Sequence, residues 1–322
     1  SEPTASTTSA SSQSAPVITT YSARGLIPPG HPCLVGLPPH VPEAGALWDE
    51  ADVVLAVGSD LDGMMTQNWR MPKPSFLIAV NVDEGDAAKS YGPNLMLSGD
   101  AALVCGALVE RLGEGRPAPD LEPLRRRAWD RLASEHPQEV EFVRVCERVL
   151  PSDGVVICDM CIPGYWLAGF LPVHRPRGLQ YPMGWGTLGY AFPAAIGAAL
   201  SGASSVVSIS GDGGFLFACG ELATVAQEKI PLTAVIVDDG GYGMLRYDQA
   251  GEPGQQGIDL DTPDFVALAR SFGVEAERVA GLGAGFGAAL CRHIADPAPS
   301  VLVADAALEP PPTTSPRWYR TG

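Results

Sequence analysis

The sequence lacks any apolar run close to the roughly 20 residues that a membrane-spanning helix needs. Its Ser/Thr/Ala-rich first residues also lack the basic start and hydrophobic stretch of a signal peptide. Cysteine is scarce and odd in number, with seven residues in 322, which does not favour a disulfide framework. These absences predict a cytoplasmic protein with reduced thiols and no membrane partner.

Basic residues are few as well. Lys and Arg number 21 against 37 Asp and Glu, which gives a formal net charge of −16. A chain this acidic would repel a phosphate backbone, so no nucleic acid is expected as a partner. Hydrophobic residues make up 46% and charged residues 18%, which is enough apolar material for a core and excludes disorder for most of the chain. The length suits two domains.

The first half alternates short apolar runs with helical patterns. Residues 1–15 are polar and of low complexity, which indicates a linker or disordered start. From Pro16 onward, PVITT, VVLAV (53–57) and FLIAVNV (76–82) have the continuous apolar character of buried parallel strands. Helices are predicted at 43–50 and 100–112, the second with Asp100 as its N-cap.

A Gly/Pro-rich stretch at 113–123 is the best candidate for a domain boundary. We therefore predict a first domain at 16–113, a linker at 114–123 and a second domain at 124–322. In the second domain strands are predicted at 155–159, 205–210, 232–237 and 300–304, and helices at 124–135, 139–150, 194–200, 221–229, 265–272 and 285–294. This alternation predicts an α/β fold of two doubly wound parallel-sheet domains.

Two neighbouring predicted strands end in acid and glycine. The first ends in Gly211-Asp212-Gly213-Gly214, and the second is followed by Asp238-Asp239-Gly240-Gly241-Tyr242-Gly243. Both should lie at the carboxyl edge of one parallel sheet, where open α/β sheets bind ligands. Glycines allow a phosphate to approach the backbone, and two carboxylates beside a phosphate need a cation such as Mg²⁺ between them. The pattern therefore predicts a metal-bridged diphosphate site.

GDG, 24 residues, an acidic pair and Gly-Gly-Tyr-Gly together resemble the signature of thiamine diphosphate enzymes of the acetolactate synthase and pyruvate decarboxylase group. The resemblance implies that Asp212, Asp239 and the carbonyl of Gly241 hold Mg²⁺. It places thiamine diphosphate against the further residues Gly211, Gly213, Gly214, Tyr242, Gly243 and Met244. The chain departs from the family in having Asp238-Asp239 where Asn-Asn is usual, a change that keeps the oxygen ligand and adds negative charge.

A second motif, Trp185-Gly186-Thr187-Leu188-Gly189-Tyr190, resembles the family's segment that bends the cofactor. By this resemblance Leu188 is the apolar wedge between the two rings of the cofactor, and backbone groups of Gly186 and Leu188 bind its aminopyrimidine. The bend brings the 4′-amino group beside the thiazolium C2, so that a proton can pass within the cofactor.

The first domain resembles part of the central domain of these enzymes, without its opening strand. No segment resembles the pyrimidine-binding domain, which carries the activating glutamate in the family. The resemblance therefore implies a pyrimidine-binding domain or subunit on another chain, in a homo- or hetero-oligomer. It also allows for FAD, although no motif in the sequence requires FAD.

The expected reaction is decarboxylation of a small 2-oxo acid followed by carboligation. Pyruvate decarboxylases place a glutamate after the metal loop where this chain has Met244-Leu245, and an apolar residue there favours addition to a second carbonyl over protonation. Two alternatives stay open: a thiamine-dependent C–C lyase or hydrolase, and a non-catalytic cofactor-binding or assembly subunit.

Two weaker motifs are interpreted structurally. Cys158-Asp-Met-Cys161 has redox spacing, but buried thiols at a strand end are the preferred interpretation. GAGFGA at 283–288 follows no clear strand and is interpreted as the start of a helix rather than a dinucleotide site.

Overall fold

The computed structural model describes residues 15–112 and 117–311, and these form two compact units. The first ends at Arg131 and the second begins at Leu132. The predicted start of the chain, apart from residue 15, and residues 113–116 of the predicted boundary stretch lie outside the described residues. No helix in the described ranges is long and apolar enough to cross a membrane.

The first unit contains a three-stranded parallel sheet in the order β1-β2-β3. Its strands are β1 (Val54–Val57), β2 (Leu77–Asn81) and β3 (Leu95–Ser98). Its helices are α1 (Pro42–Asp49), α2 (Glu84–Ala88), α3 (Ala101–Arg111) and the first part of α4 (Glu122–Glu135). Asp100 caps α3 as predicted, since its side chain accepts hydrogen bonds from the backbone N–H groups of Ala102 and Leu103.

One predicted strand of this unit is wrong. PVITT does not join the sheet: Val17 forms only an isolated bridge with Leu34. The β-branched residues of this run favour extended backbone, but no neighbouring strand pairs with more than one of them.

The second unit is built on a six-stranded, wholly parallel sheet in the order β5-β4-β6-β7-β9-β8. Its strands are β4 (Val155–Cys158), β5 (Leu179–Gln180), β6 (Val206–Gly211), β7 (Thr233–Asp238), β8 (Glu275–Ala280) and β9 (Ser300–Asp305). Its further helices are α5 (Pro137–Val149), α6 (Ile162–Phe170), α7 (Ala191–Leu200), α8 (Asp212–Leu216), α9 (Leu222–Glu228), α10 (Gly243–Asp248), α11 (Phe265–Ser271) and α12 (Ala284–Ala295).

Helices cover both faces of this sheet. On one face α7, α9 and α11 bury Phe192, Leu222 and Phe265 in a continuous apolar core. On the other, α6 and α12 pack against the strands, and α5 packs against both helices. The two sheets confirm the predicted α/β fold. The domain bounds predicted from the sequence stay a prediction.

Candidate functional site

A cavity of about 370 Å³ opens at the carboxyl edge of the six-stranded sheet. It lies where β4, β6 and β7 end. The chain runs from β4 to β5 on one side and then returns to β6 on the other side of β4, so β4 and β6 flank a topological switch point. Open parallel sheets bind ligands at this place, because the loops diverge there and leave a crevice.

Asp212 lies at the base of this cavity, as the first residue of α8 directly after β6. It is 1% exposed. Its Oδ1 accepts a hydrogen bond from the backbone N–H of Gly213 at 2.7 Å, whereas its Oδ2 is buried and has no hydrogen-bond partner in the described parts of the chain. Burial raises the pKa of Asp212 to about 7, the Gly213 N–H lowers it, and the charges of Asp239 and Asp238 raise it further. A buried carboxylate oxygen without a partner is suited to a cation.

The acidic pair after β7 separates into two environments. Asp239 lines the cavity, and its Oδ2 lies 3.5 Å from a guanidinium nitrogen of Arg246. Burial raises the pKa of Asp239, and the charge of Arg246 opposes this shift. Asp238 does not line the cavity and instead pairs with Arg278 at 3.1 Å. Only the second member of the pair therefore lines the cavity.

Glycines bring the two turns close together. A Cβ on Gly213 would lie 2.5 Å from the Tyr242 ring, and a Cβ on Gly243 would lie 2.4 Å from Asp239 Oδ2. A Cβ on Gly241 would lie 2.1 Å from the backbone oxygen of Ile258. A side chain at Gly213 would push the two turns apart. A side chain at Gly241 would collide with the backbone of Ile258, and one at Gly243 would displace the Asp239 carboxylate.

The segment before α7 forms another wall. Gly186 and Leu188 line the cavity, and Gly186 has a φ of +61°, which favours glycine. The segment is attached to the sheet by Asp159, which follows β4. Asp159 Oδ1 accepts from the N–H of Ala191 at 2.7 Å and its Oδ2 from the N–H of Gly189 at 3.2 Å.

All the predicted site residues line this one cavity. They are Gly186, Leu188, Gly211, Asp212, Gly213, Gly214, Asp239, Gly241, Tyr242, Gly243 and Met244. Their individual roles stay predictions. The sequence did not indicate Tyr165 of α6, nor Ala306 and Leu308 after β9, which also line the cavity. Only the rule that every strand of a parallel sheet ends at the same edge could have pointed to the residues after β9.

The two cysteines of the CxxC motif are buried or partly buried free thiols. Cys158 ends β4, and Cys161 lines the cavity. Burial raises the pKa of both thiols. Raised thiol pKa values disfavour the reactive thiolate, in agreement with the structural interpretation.

The carboxylates of the cavity suit a cation that is also bound by the phosphates of a ligand. No group of three or more His, Cys, Asp or Glu side chains that could hold a metal occurs within 15–112 and 117–311. The cavity supplies two carboxylates, Asp212 and Asp239, and one Asp212 oxygen has no partner. Mg²⁺ is commonly held by one or two carboxylates together with the phosphates of a ligand, so these residues fit it.

Comparison with protein families gives two matches. Residues 160–304 match the thiamine pyrophosphate enzyme C-terminal TPP-binding domain, and residues 5–108 match the central domain of the same enzymes. The first match includes every residue that lines the cavity except Ala306 and Leu308.

Several curated proteins are similar to the chain. A probable 2-ketoarginine decarboxylase of Pseudomonas aeruginosa is 33% identical over 80% of this chain and 48% of the relative. A probable acetolactate synthase large subunit of Methanocaldococcus jannaschii is 30% identical over 82% and 48%. A benzoylformate decarboxylase of Pseudomonas aeruginosa is 29% identical over 79% and 49%. The chain thus spans about half the length of the curated relatives it matches.

Proposed function

Because the chain belongs to the thiamine pyrophosphate enzyme family, we propose that it is the diphosphate-binding part of a Mg²⁺-dependent enzyme that decarboxylates a 2-oxo acid and joins the product to a second carbonyl compound. This proposal rests on the observation that three motifs line one cavity. They are the GDGG turn (residues 211–214), the acidic turn after β7 (residues 238–243) and the 186–190 segment, which contains Leu188. When bound, thiamine diphosphate supplies the carbon nucleophile that adds to the keto carbon.

The residues of the cavity have different proposed roles in holding the metal and the cofactor. Asp212, Asp239 and the carbonyl of Gly241 would hold Mg²⁺, and the glycines of both turns would admit the diphosphate. Leu188 would hold the cofactor bent, with Gly186 and Leu188 offering backbone groups to its aminopyrimidine. The unpartnered Oδ2 of Asp212 supports the metal assignment, because the desolvation of this oxygen is otherwise uncompensated.

Carboligation is proposed over simple decarboxylation because of the residues that follow the acidic turn. Met244 and Leu245 line the cavity, and neither side chain can donate a proton. Without a proton donor at this place, addition to a second carbonyl is favoured. Relatives named as decarboxylases support the alternative outcome, and product analysis with a panel of 2-oxo acids would separate the two.

The assignment of the metal ligands is tested by calorimetry with thiamine diphosphate and Mg²⁺. Asp212→Ala and Asp239→Ala should each weaken cofactor binding at least about tenfold, as is typical when a metal site loses a supporting group. Asp238→Asn is the matched control: it removes the charge of the neighbouring carboxylate, which pairs with Arg278 outside the cavity, and should change the affinity much less than either alanine variant. Circular dichroism checks the fold of each variant. Unchanged affinity in Asp212→Ala would refute the metal assignment.

A further inference from the structure

Asp159 is a buried carboxylate to which the proposed function assigns no role. It follows β4 and is 0% exposed. Among the described residues no cationic side chain pairs with it, and the only opposing influences on its burial-raised pKa are hydrogen bonds. Because an uncompensated buried charge is costly, the carboxylate of Asp159 depends on the hydrogen bonds that it accepts.

Most of those hydrogen bonds come from one segment, residues 189–191, and one more comes from the Ser210 hydroxyl of β6. The N–H groups of Gly189 and Ala191 donate to the two oxygens, and Ala191 is the first residue of α7. Tyr190, at the N-cap position of α7, forms no side-chain cap. A carboxylate from the end of β4 therefore replaces the missing cap, and the positive end of the ten-residue helix compensates its charge.

The same carboxylate touches the GDGG turn. A Cβ on Gly214 would lie 2.8 Å from Asp159 Oδ2, so the Cα of Gly214 packs directly against this oxygen. Gly189, which donates to Oδ2, immediately follows Leu188. One oxygen thus lies between the turn that would bind the diphosphate and the segment that would bend the cofactor.

We propose that Asp159 is a positioning residue that couples the GDGG turn to the 186–190 segment, so that both ends of a bound cofactor are held in one geometry. The meaning of this coupling rests on the proposed function, whereas the contacts themselves do not. In Asp159→Asn the amide can accept from one N–H only, and its NH₂ group opposes the other N–H.

The first test is amide hydrogen exchange by NMR in the cofactor-free chain. In Asp159→Asn the exchange of the Gly189 or the Ala191 N–H should accelerate about tenfold or more, as expected for the loss of a hydrogen bond to a charged group. Asp264→Ala is the control, because Asp264 caps α11 through Val266 and Ala267 away from the cavity. It should cost stability without changing exchange at Gly189 and Ala191. Unchanged exchange at both amides in Asp159→Asn would overturn the proposal.

The second test measures coupling with Mg²⁺ and inorganic pyrophosphate as the probe. Saturating pyrophosphate should slow exchange at Gly189 in the wild-type chain, and this response should be lost in Asp159→Asn. An equal response in both proteins would overturn the coupling. If the wild-type chain binds no pyrophosphate, the proposed function fails, while the first test still decides whether Asp159 holds the segment.

Discussion

At the scale of single residues, three of the acids at the carboxyl edge of the second unit's sheet, Asp159, Asp212 and Asp239, have different surroundings. Asp159 accepts backbone N–H groups, Asp239 lies near Arg246, and Asp212 has one oxygen with no partner. Only the last arrangement leaves a buried carboxylate oxygen without a partner among the described residues. This difference ranks Asp212 above its neighbours as the centre of the site.

Leu188 is the residue whose replacement should separate binding from reaction. Leu188→Ala leaves the bent cofactor under-supported, so the 4′-amino group should reach C2 less often. In the assembled, saturated enzyme we expect turnover to fall on the order of tenfold or more, with a smaller loss of cofactor affinity. Leu188→Met is the control, since it conserves volume and should retain most of the turnover. A collapse of affinity with normal turnover would make Leu188 a binding contact only.

The residues of the site that belong to contiguous motifs were predicted from the sequence. Residues that contact the site only through the tertiary structure were missed. Asp212 and Gly241 stand in turns whose glycine and acid content is itself a signal. Asp159 is a single acid after a strand, and its partners lie 30 and 32 residues further along the chain. Spacing along a chain carries no information about such a contact, because the sheet and not the local pattern creates it.

At the scale of whole elements, the bounds of the buried strands were predicted to within a residue or two, because a short apolar run bounded by glycine or acid is typical of a buried strand. The strands β3, β5 and β8 were missed. The sequence of β8, EAERVA, is half exposed at the sheet edge and lacks the apolar run of a central strand. It precedes GAGFGA, so the statement that no strand precedes this motif is wrong; its interpretation as a helix start is confirmed by α12.

Helix packing offers a prediction that is independent of the cavity. A Cβ on Gly287 of α12 would lie 2.8 Å from Val145 Cγ1 of α5, and Val145 is buried. Gly287→Ala should gain about 1 kcal/mol of helix propensity but lose about 1–3 kcal/mol to overpacking. We expect a net loss of about 1 kcal/mol in the free energy of unfolding, measured in urea, with cofactor affinity unchanged.

Two further variants make that prediction specific to the contact. Gly197→Ala in α7 adds the same methyl group where nothing lies within 4 Å, so it should stabilise the chain by up to about 1 kcal/mol. Val145→Ala should destabilise less in the Gly287→Ala background than alone, by about 0.5 kcal/mol or more. Strict additivity of Gly287→Ala and Val145→Ala would show that the two side chains do not meet.

At the scale of the whole molecule, the proposed function needs a pyrimidine-binding partner beside the described cavity. Among the described residues, the acidic side chains that line the cavity are Asp212 and Asp239, and the proposed function gives both to the metal. Trp185, next to the lining residue Gly186, is 95% exposed, and Phe217, after α8, is 67% exposed. Both side chains are therefore accessible to a partner chain. The chain also spans about half the length of its curated relatives.

These features predict that the chain by itself binds thiamine diphosphate without activating it. Activation in the family depends on a glutamate of the pyrimidine-binding domain, and acid–base assistance of this kind is typically worth about 10² to 10⁴ in rate. We therefore expect slow exchange of the C2 proton of bound cofactor, followed by NMR after acid quench. The full-length benzoylformate decarboxylase of Pseudomonas aeruginosa, measured in parallel, is the positive control. Rapid exchange from a monodisperse preparation of this chain alone would show that its own residues activate the cofactor, and the proposed need for a pyrimidine-binding partner would be wrong.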